Sequence, residues 1–270
     1  MTTPYISSRQ RVQMALNHQE PDRVPVDFMA TPAVWAKLTE HFEVETITLS
    51  RPDYFQPERE AVLRELQIDC RVLSYDMFCQ PPEALLKPEA TVDWWGARQR
   101  STPARMWRQR TLKGEWYDIW GHHSRLVRAA GGPYEEFASW PLADAETVTD
   151  LHNFPWPQPE WWDFSGLPDL VRQLERGGEY HLRFRIGSVF ETAWQLRGMQ
   201  QLLMDFALDP AIPLYIMDRV TEVLEENLRR VLELVGGRLD MVYFYDDVAT
   251  LILFWYSHTA WVNRVQCRRF

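Results

Sequence analysis

The sequence predicts an α/β protein built around a parallel sheet, and three neighbouring patterns indicate it. Residues 180–186 alternate between apolar and polar side chains, a period of two that is typical of a strand. Helical apolar spacing then begins at Val189 and is interrupted at Asp209-Pro210, because proline excludes its preceding residue from the α region. After Gly236-Gly237, which favours a helix end, residues 239–245 predict a second strand. Strand, helices and strand together form a parallel crossover.

The second predicted strand ends on an acid pair, Asp246 and Asp247. In parallel α/β folds the reactive groups collect at the carboxyl ends of the strands. Two adjacent acids at such an edge can bind a cation or orient a proton. The alternative is that one of them caps the following helix and the other is solvated.

Composition limits the class of protein. A chain of 270 residues, of which 46% are hydrophobic, is long enough for one barrel-sized domain with a substantial core. The formal net charge of −9 argues against a nucleic-acid partner, since proteins that bind phosphate backbones concentrate Lys and Arg.

The cysteines and the apolar runs predict a soluble cytoplasmic protein. The three cysteines, Cys70, Cys79 and Cys267, are too few for a disulfide scaffold and fit no zinc-ribbon spacing. Buried, reduced thiols are the simplest interpretation. The N-terminus lacks the apolar core of a signal peptide, and the apolar run at 251–256 is far below the roughly 20 residues that span a bilayer.

Elements of the same kind are predicted upstream. Ser7 and Gln10 have the spacing of a helix capping box. Residues 24–28 and 69–74 predict strands, and Asp76 closely follows the second of them. Apolar spacing predicts helices over 32–42 and 58–66, a further helix beginning at residue 141 and another over 169–176.

A different pattern occupies residues 81–134. Helical spacing is lost there, and aromatic residues alternate with Arg, Thr and Gly, which predicts two or three antiparallel strands joined at Lys113-Gly114 and similar turns. Nine of the thirteen tryptophans lie between Trp94 and Trp162, so this part of the chain is expected to pack and to cover an apolar pocket. Its adjacent histidines, His122 and His123, would point to opposite faces of a strand, and a solvated turn is the simpler expectation.

Several segments resemble the uroporphyrinogen decarboxylase (URO-D) superfamily, in particular its decarboxylase-like and methyltransferase-like branch. The resemblance is most specific over residues 187–199 and 204–210, and it also includes residues 9–27, 141–148 and 243–247. It implies a distorted (β/α)8 TIM barrel with a deep cleft at the carboxyl ends of the strands. On this basis we expect one barrel domain over 1–250, with the β-rich segment inserted into it.

The resemblance implies functional roles for several residues. Asp76 occupies a position similar to that of the decarboxylase aspartate that stabilises a protonated pyrrole. Asp69 is a competing candidate for this role, and a strand-end acid can also serve only as a cap. Glu191 and Trp194 lie in the most specific segment and are candidate substrate-binding residues; Glu191 could alternatively form a surface pair with Arg197.

Two arginines of the crossover strand are further candidates for substrate binding. Arg183 and Arg185 share one strand face with His181 and could bind a carboxylate or phosphate, or else pair with acids of a covering helix.

Departures from the family select among its activities. Residues 29–35 contain no arginine where uroporphyrinogen decarboxylases have an arginine-rich loop that holds substrate carboxylates. The resemblance therefore favours a methyltransferase-like protein that moves a methyl group between a small methylated substrate and a corrinoid protein. The zinc of a full-length relative is then expected to be supplied by a segment that this sequence lacks, and no cofactor is evident in the sequence itself. Uroporphyrinogen decarboxylation in porphyrin biosynthesis is the alternative, and an inactive fragment or binding module is a third.

The C-terminal residues depart furthest from the family. Residues 251–270 form an atypical tail, and the zinc-binding His-x-Cys motif of the methyltransferases is absent from it. We therefore expect a truncation or frameshift near Thr250, an incomplete barrel with too few strands to close, and self-association through the surface left open.

Overall fold

A computed structural model describes residues 5–30, 32–44, 57–95, 106–129 and 132–246 of the chain. Asp247, Cys267 and the tail over 251–270 lie outside these residues. The architecture is mixed α/β, with a three-stranded sheet and a separate five-stranded sheet. The helices are α1 Ser8–Leu16, α2 Pro32–His41, α3 Pro57–Glu65, α4 Val148–His152, α5 Leu167–Gly177, α6 Phe190–Arg197, α7 Met199–Leu208 and α8 Ala211–Val235. The strands are β1 Cys70–Ser74, β2 Thr91–Trp95, β3 Met106–Arg110, β4 Trp116–Asp118, β5 His123–Ala129, β6 Gly132–Ser139, β7 His181–Arg185 and β8 Met241–Tyr243.

The three-stranded sheet is parallel and has β7 at its centre. β1 pairs with β7 in the register Cys70↔His181, and β7 pairs with β8 in the register Arg183↔Met241. Both faces of β7 are largely buried, as a central strand requires: Leu182 and Phe184 lie in the main core, and His181 and Arg185 on the other face are buried as well. The predicted parallel crossover is confirmed.

The described residues contain no closed barrel, and one predicted strand is wrong. Residues 24–28 are extended but form no strand. Both backbone polar groups of Val26 are hydrogen-bonded to Asp69. The Asp69 N–H donates to the Val26 carbonyl at 2.9 Å, and Asp69 Oδ2 accepts a hydrogen bond from the Val26 N–H at 2.8 Å. Pro25 has no N–H to donate. The segment is therefore held by a carboxylate instead of a strand ladder.

The five-stranded sheet is antiparallel and follows sequence order from β2 to β6. We predicted two or three strands, and the structure has five, the last of which ends at Ser139. The Lys113-Gly114 turn is confirmed, because Gly114 has φ +75° and its N–H donates to Thr111. Charged residues in β5 and β6 obscured these strands in the sequence.

Short interruptions modify the predicted helices. Gly198, at φ +89°, separates α6 from α7 within what the spacing predicted as one helical run. The helix expected to begin at residue 141 begins instead at Val148. Asp150 explains the later start, because its Oδ2 accepts the N–H of Thr147 at 2.7 Å and the Thr147 hydroxyl at 2.9 Å. In the described part of the chain, no helix is long and apolar enough to cross a membrane.

Candidate functional site

A cavity of about 220 Å³ lies between the two sheets. One wall is formed by residues that follow the parallel strands, and the other by one face of the antiparallel sheet. This location agrees with the general placement of sites at the carboxyl ends of parallel strands.

The parallel-sheet wall comes from the ends of all three strands. Tyr75 and Asp76 follow β1 in a 3₁₀ turn, Gly187 follows β7, and Tyr245 follows β8. Gly187 has φ +112°, and a Cβ added there would lie 3.0 Å from Tyr75 Cε1. Only glycine allows the chain to turn from β7 into α6 this close to the tyrosine ring.

Asp76 and Arg185, both candidates from the sequence, form a buried ion pair. Arg185 Nη2 donates to Asp76 Oδ2 at 2.8 Å, and Ser74 Oγ contacts both side chains. Burial lowers the pKa of Arg185, but the Asp76 carboxylate outweighs this effect and the pKa lies above its ordinary value. The pair therefore fixes the position of the Asp76 side chain in the cavity lining.

Asp246 caps helix α6. Its carboxylate accepts the backbone N–H groups of Val189, Phe190 and Glu191 at 2.8, 2.7 and 2.6 Å. Burial nevertheless raises the pKa of Asp246 to about 6. Asp246 is therefore a helix cap, as the alternative interpretation expected, but it caps a helix that precedes it in the chain. Asp247 lies outside the described residues.

Arg183 lies on the same strand face as Arg185 but has different partners. Its guanidinium donates to Asp27 Oδ2 at 2.7 Å and to His181 Nδ1 at 3.2 Å. In the described ranges, neither arginine pairs with acids of a covering α-helix. The structure therefore brings Arg185 to the site and places Arg183 against the extended segment over residues 24–28.

Helix α6 brings Glu191 to the cavity, whereas Trp194 does not belong to the cavity lining in the described residues. Glu191 lines the cavity, and its Oε1 accepts a hydrogen bond from Gln195 at 3.2 Å. Trp194 packs edge-on against Phe137, with ring centroids 5.5 Å apart, which fixes α6 against the antiparallel sheet. Arg197 pairs with Asp205 at 2.8 Å instead of with Glu191.

The antiparallel wall is rich in aromatic side chains. Trp107, Trp116 and Trp120 are buried and line the cavity. This agrees with the expectation that the tryptophan-rich segment covers an apolar pocket. Arg108 packs over the Trp116 ring at 4.6 Å from its centroid. The same guanidinium reaches both carboxylate oxygens of Glu135 at 3.1 Å.

His122 belongs to this wall and was not recognised as a site residue from the sequence. Its Nδ1 lies 2.9 Å from Asp118 Oδ2, and its buried Nε2 has no hydrogen-bond partner among the residues that the structure describes. The expected solvated turn is wrong for His122, which is buried. His123 points to the opposite face and stacks on Tyr117 with centroids 4.3 Å apart. The burial of His122 could have been suspected from the sequence because Asp118 lies four residues earlier. The two residues flank a turn that is closed by the hydrogen bond from Gly121 N–H to the Asp118 carbonyl.

The described residues do not offer a zinc site. No group of three or more His, Cys, Asp or Glu side chains among them is arranged to hold a metal ion. Cys70 and Cys79 are buried, and burial raises the pKa of Cys70 to about 12 and that of Cys79 well above its ordinary value. Both thiols are therefore protonated, which is unfavourable for metal binding.

Comparison of the chain with family models, with curated proteins and with solved structures finds no match.

Proposed function

We propose that this chain is a methyltransferase-like member of the URO-D superfamily whose cavity binds a small methylated substrate. In this proposal the three parallel strands belong to a distorted (β/α)8 barrel. The main support is the location of the cavity at the carboxyl ends of all three strands. The segments that carry the resemblance supply part of its wall, including Gly187, Glu191 and Tyr245.

The chemistry of the cavity disfavours uroporphyrinogen as the substrate. Carboxylates line the cavity at Asp76, Asp118, Glu135, Glu136 and Glu191. A substrate with eight carboxylates would meet like charges here, and like charges in a partly enclosed cavity repel strongly. The volume of about 220 Å³ also lies below the roughly 300–1,000 Å³ of sites for drug-sized ligands, and a tetrapyrrole is larger still.

In the proposed reaction the residues of this chain bind and orient the methylated substrate. The Asp76–Arg185 pair gives the base of the cavity a fixed geometry, and the tryptophans of the antiparallel sheet exclude water from it. A corrinoid protein is the proposed methyl acceptor, and it supplies the cobalt chemistry when bound.

Two parallel assays test the proposal. The chain is mixed with cob(I)alamin and a panel of methylated amines, thiols and methyl ethers, and methylcobalamin formation is followed by absorbance. In the second assay the chain is given uroporphyrinogen, and coproporphyrinogen is measured. We expect methylcobalamin with at least one donor and no coproporphyrinogen. Porphyrinogen turnover would identify a decarboxylase, and inactivity in both assays would favour the binding-module alternative.

A tryptophan variant and its control show whether any turnover uses this cavity. The cavity variant Trp107→Ala is expected to lose turnover, because it removes a buried ring of the wall. The exposed variant Glu225→Gln on α8 is expected to keep it. Equal turnover by both variants would place the reaction elsewhere on the molecule.

A further inference from the structure

The cavity combines carboxylates with aromatic rings, and this combination identifies a ligand class. We propose that the cavity binds a small organic cation that carries a tertiary or quaternary ammonium group. This inference rests on the proposed function, in which the cavity is the substrate site, and it names the class of methylated substrate.

The charges of the lining are unequally balanced. Arg185 offsets Asp76 and Arg108 offsets Glu135. Glu191, by contrast, accepts a hydrogen bond from the uncharged amide of Gln195. Glu136, at the exposed side, is within 3.5 Å of the uncharged Tyr134 hydroxyl. The negative charge that remains attracts a cation and repels an anion.

Both walls of the cavity already pack cations against aromatic rings. The Arg108 guanidinium lies 4.6 Å from the centroid of Trp116, and the Arg185 guanidinium lies 5.6 Å from that of Tyr245. These distances are within the roughly 6 Å over which a ring face attracts a cation. Trp107 and Trp120 add two further buried indoles to the lining. Aromatic rings around a carboxylate are a favourable environment for an alkylated ammonium group, which is too weakly hydrated to require full solvation.

The arrangement favours an organic cation over a metal ion. Carboxylates that bind Ca²⁺ or Mg²⁺ must converge on one point within about 2.0–2.6 Å of the ion. The part of the chain that the structure describes contains no such group of three or more ligands. The volume of about 220 Å³ is instead suitable for a ligand the size of choline.

The experiment compares two ligands of equal shape and different charge. Choline and its uncharged carbon analogue 3,3-dimethylbutan-1-ol are titrated into the full chain, and binding is measured by calorimetry and tryptophan fluorescence. We expect choline to bind at least about tenfold more tightly, a ratio that corresponds to about 1.4 kcal/mol. Equal affinity, or no binding of choline, would overturn the assignment of the ligand class.

Two variants locate the charge responsible. Glu191→Gln keeps the size of the side chain and removes the charge at the cavity, while Glu225→Gln removes an exposed charge from α8. We expect only Glu191→Gln to reduce the preference for choline. Equal preferences in the two variants would contradict a cation site at Glu191.

The methylcobalamin assay keeps the two proposals distinguishable. Turnover of an uncharged methyl ether without any choline binding would overturn the cation inference and leave the methyl-transfer proposal standing.

Discussion

Arg185 Nη2 on the central strand β7 lies 2.8 Å from Asp76 Oδ2 in the turn after β1, and both side chains are buried. This pair joins the carboxyl ends of two neighbouring parallel strands directly beneath the cavity. It makes the position of Asp76 dependent on a residue 109 positions away in the sequence. Two sequence candidates from separate segments thus form one unit.

Removal of one member of this pair should destabilise the fold strongly. We expect Asp76→Ala to lower the free energy of unfolding by about 3–5 kcal/mol, since it leaves a buried guanidinium without its carboxylate. Denaturant unfolding followed by circular dichroism measures the change. The control is Asp169→Ala, which breaks an exposed pair with Arg172 and should cost less than about 1 kcal/mol. Similar losses in both variants would show that the buried pair contributes little.

Titration of Asp246 should make stability depend on pH. Its pKa is about 6 in the folded chain, against an ordinary value of 3.8, so the folded state binds the proton more tightly. The stabilisation is therefore complete below about pH 4 and is lost as the pH rises through about 6. We expect the free energy of unfolding of the protein, measured relative to Asp246→Asn, to fall by about 3 kcal/mol over this range. A relative rise would mean that the three backbone hydrogen bonds outweigh burial.

A methyl group at Gly187 should disturb the strand-to-helix turn. Gly187→Ala would force an L-residue to φ +112° and place its Cβ 3.0 Å from Tyr75 and 3.3 Å from Leu224. We expect a loss of about 1–3 kcal/mol in the free energy of unfolding. Gly237→Ala is the matched control, because nothing lies within 4 Å of a Cβ added there. Equal melting temperatures for the two variants would contradict this description of the turn.

The Asp118 carboxylate should determine the tautomer of His122. Because Asp118 Oδ2 lies 2.9 Å from Nδ1, we expect the neutral ring to carry its proton on Nδ1 and to leave Nε2 as an acceptor. Nitrogen-15 shifts of the ring at neutral pH report the tautomer. In Asp118→Ala this preference should decrease, whereas Glu115→Ala, which removes the carboxylate beside His123, should leave it unchanged. A proton on Nε2 in the unmodified protein would refute the assignment.

Local sequence patterns predicted the parallel crossover, whereas the features that were missed depend on contacts between residues far apart in the sequence. Strong alternation in β7 and helical spacing in α8 act over a few residues, so they could be recognised from the sequence. The conformation of the segment at Val26 could not be recognised, because the Val26 N–H is bound by the side chain of Asp69, 43 residues away. His122 was missed for a similar reason, since its burial depends on strands whose charged residues resembled loops.

The candidate site was likewise predictable from local patterns only in part. The sequence placed Asp76, Glu191 and Asp246 at strand ends or on the helix after β7, and all of them lie at or next to the cavity. It could not distinguish a capping carboxylate from one that faces a ligand. That difference depends on where the N-terminus of α6 lies relative to β8, which only the folded chain defines.

The cavity is built from two sheets, and they are expected to have different roles: the parallel sheet maintains the fold, and the antiparallel sheet determines which ligand is bound. The parallel strand ends are tied together by buried pairing and a glycine turn, so they tolerate few substitutions. The opposite wall is a hairpin-built sheet with its own hydrogen-bond ladder. Residues on that sheet can therefore diversify while the parallel strand ends are retained, and a designer seeking a new ligand preference should randomise the β3–β6 face first.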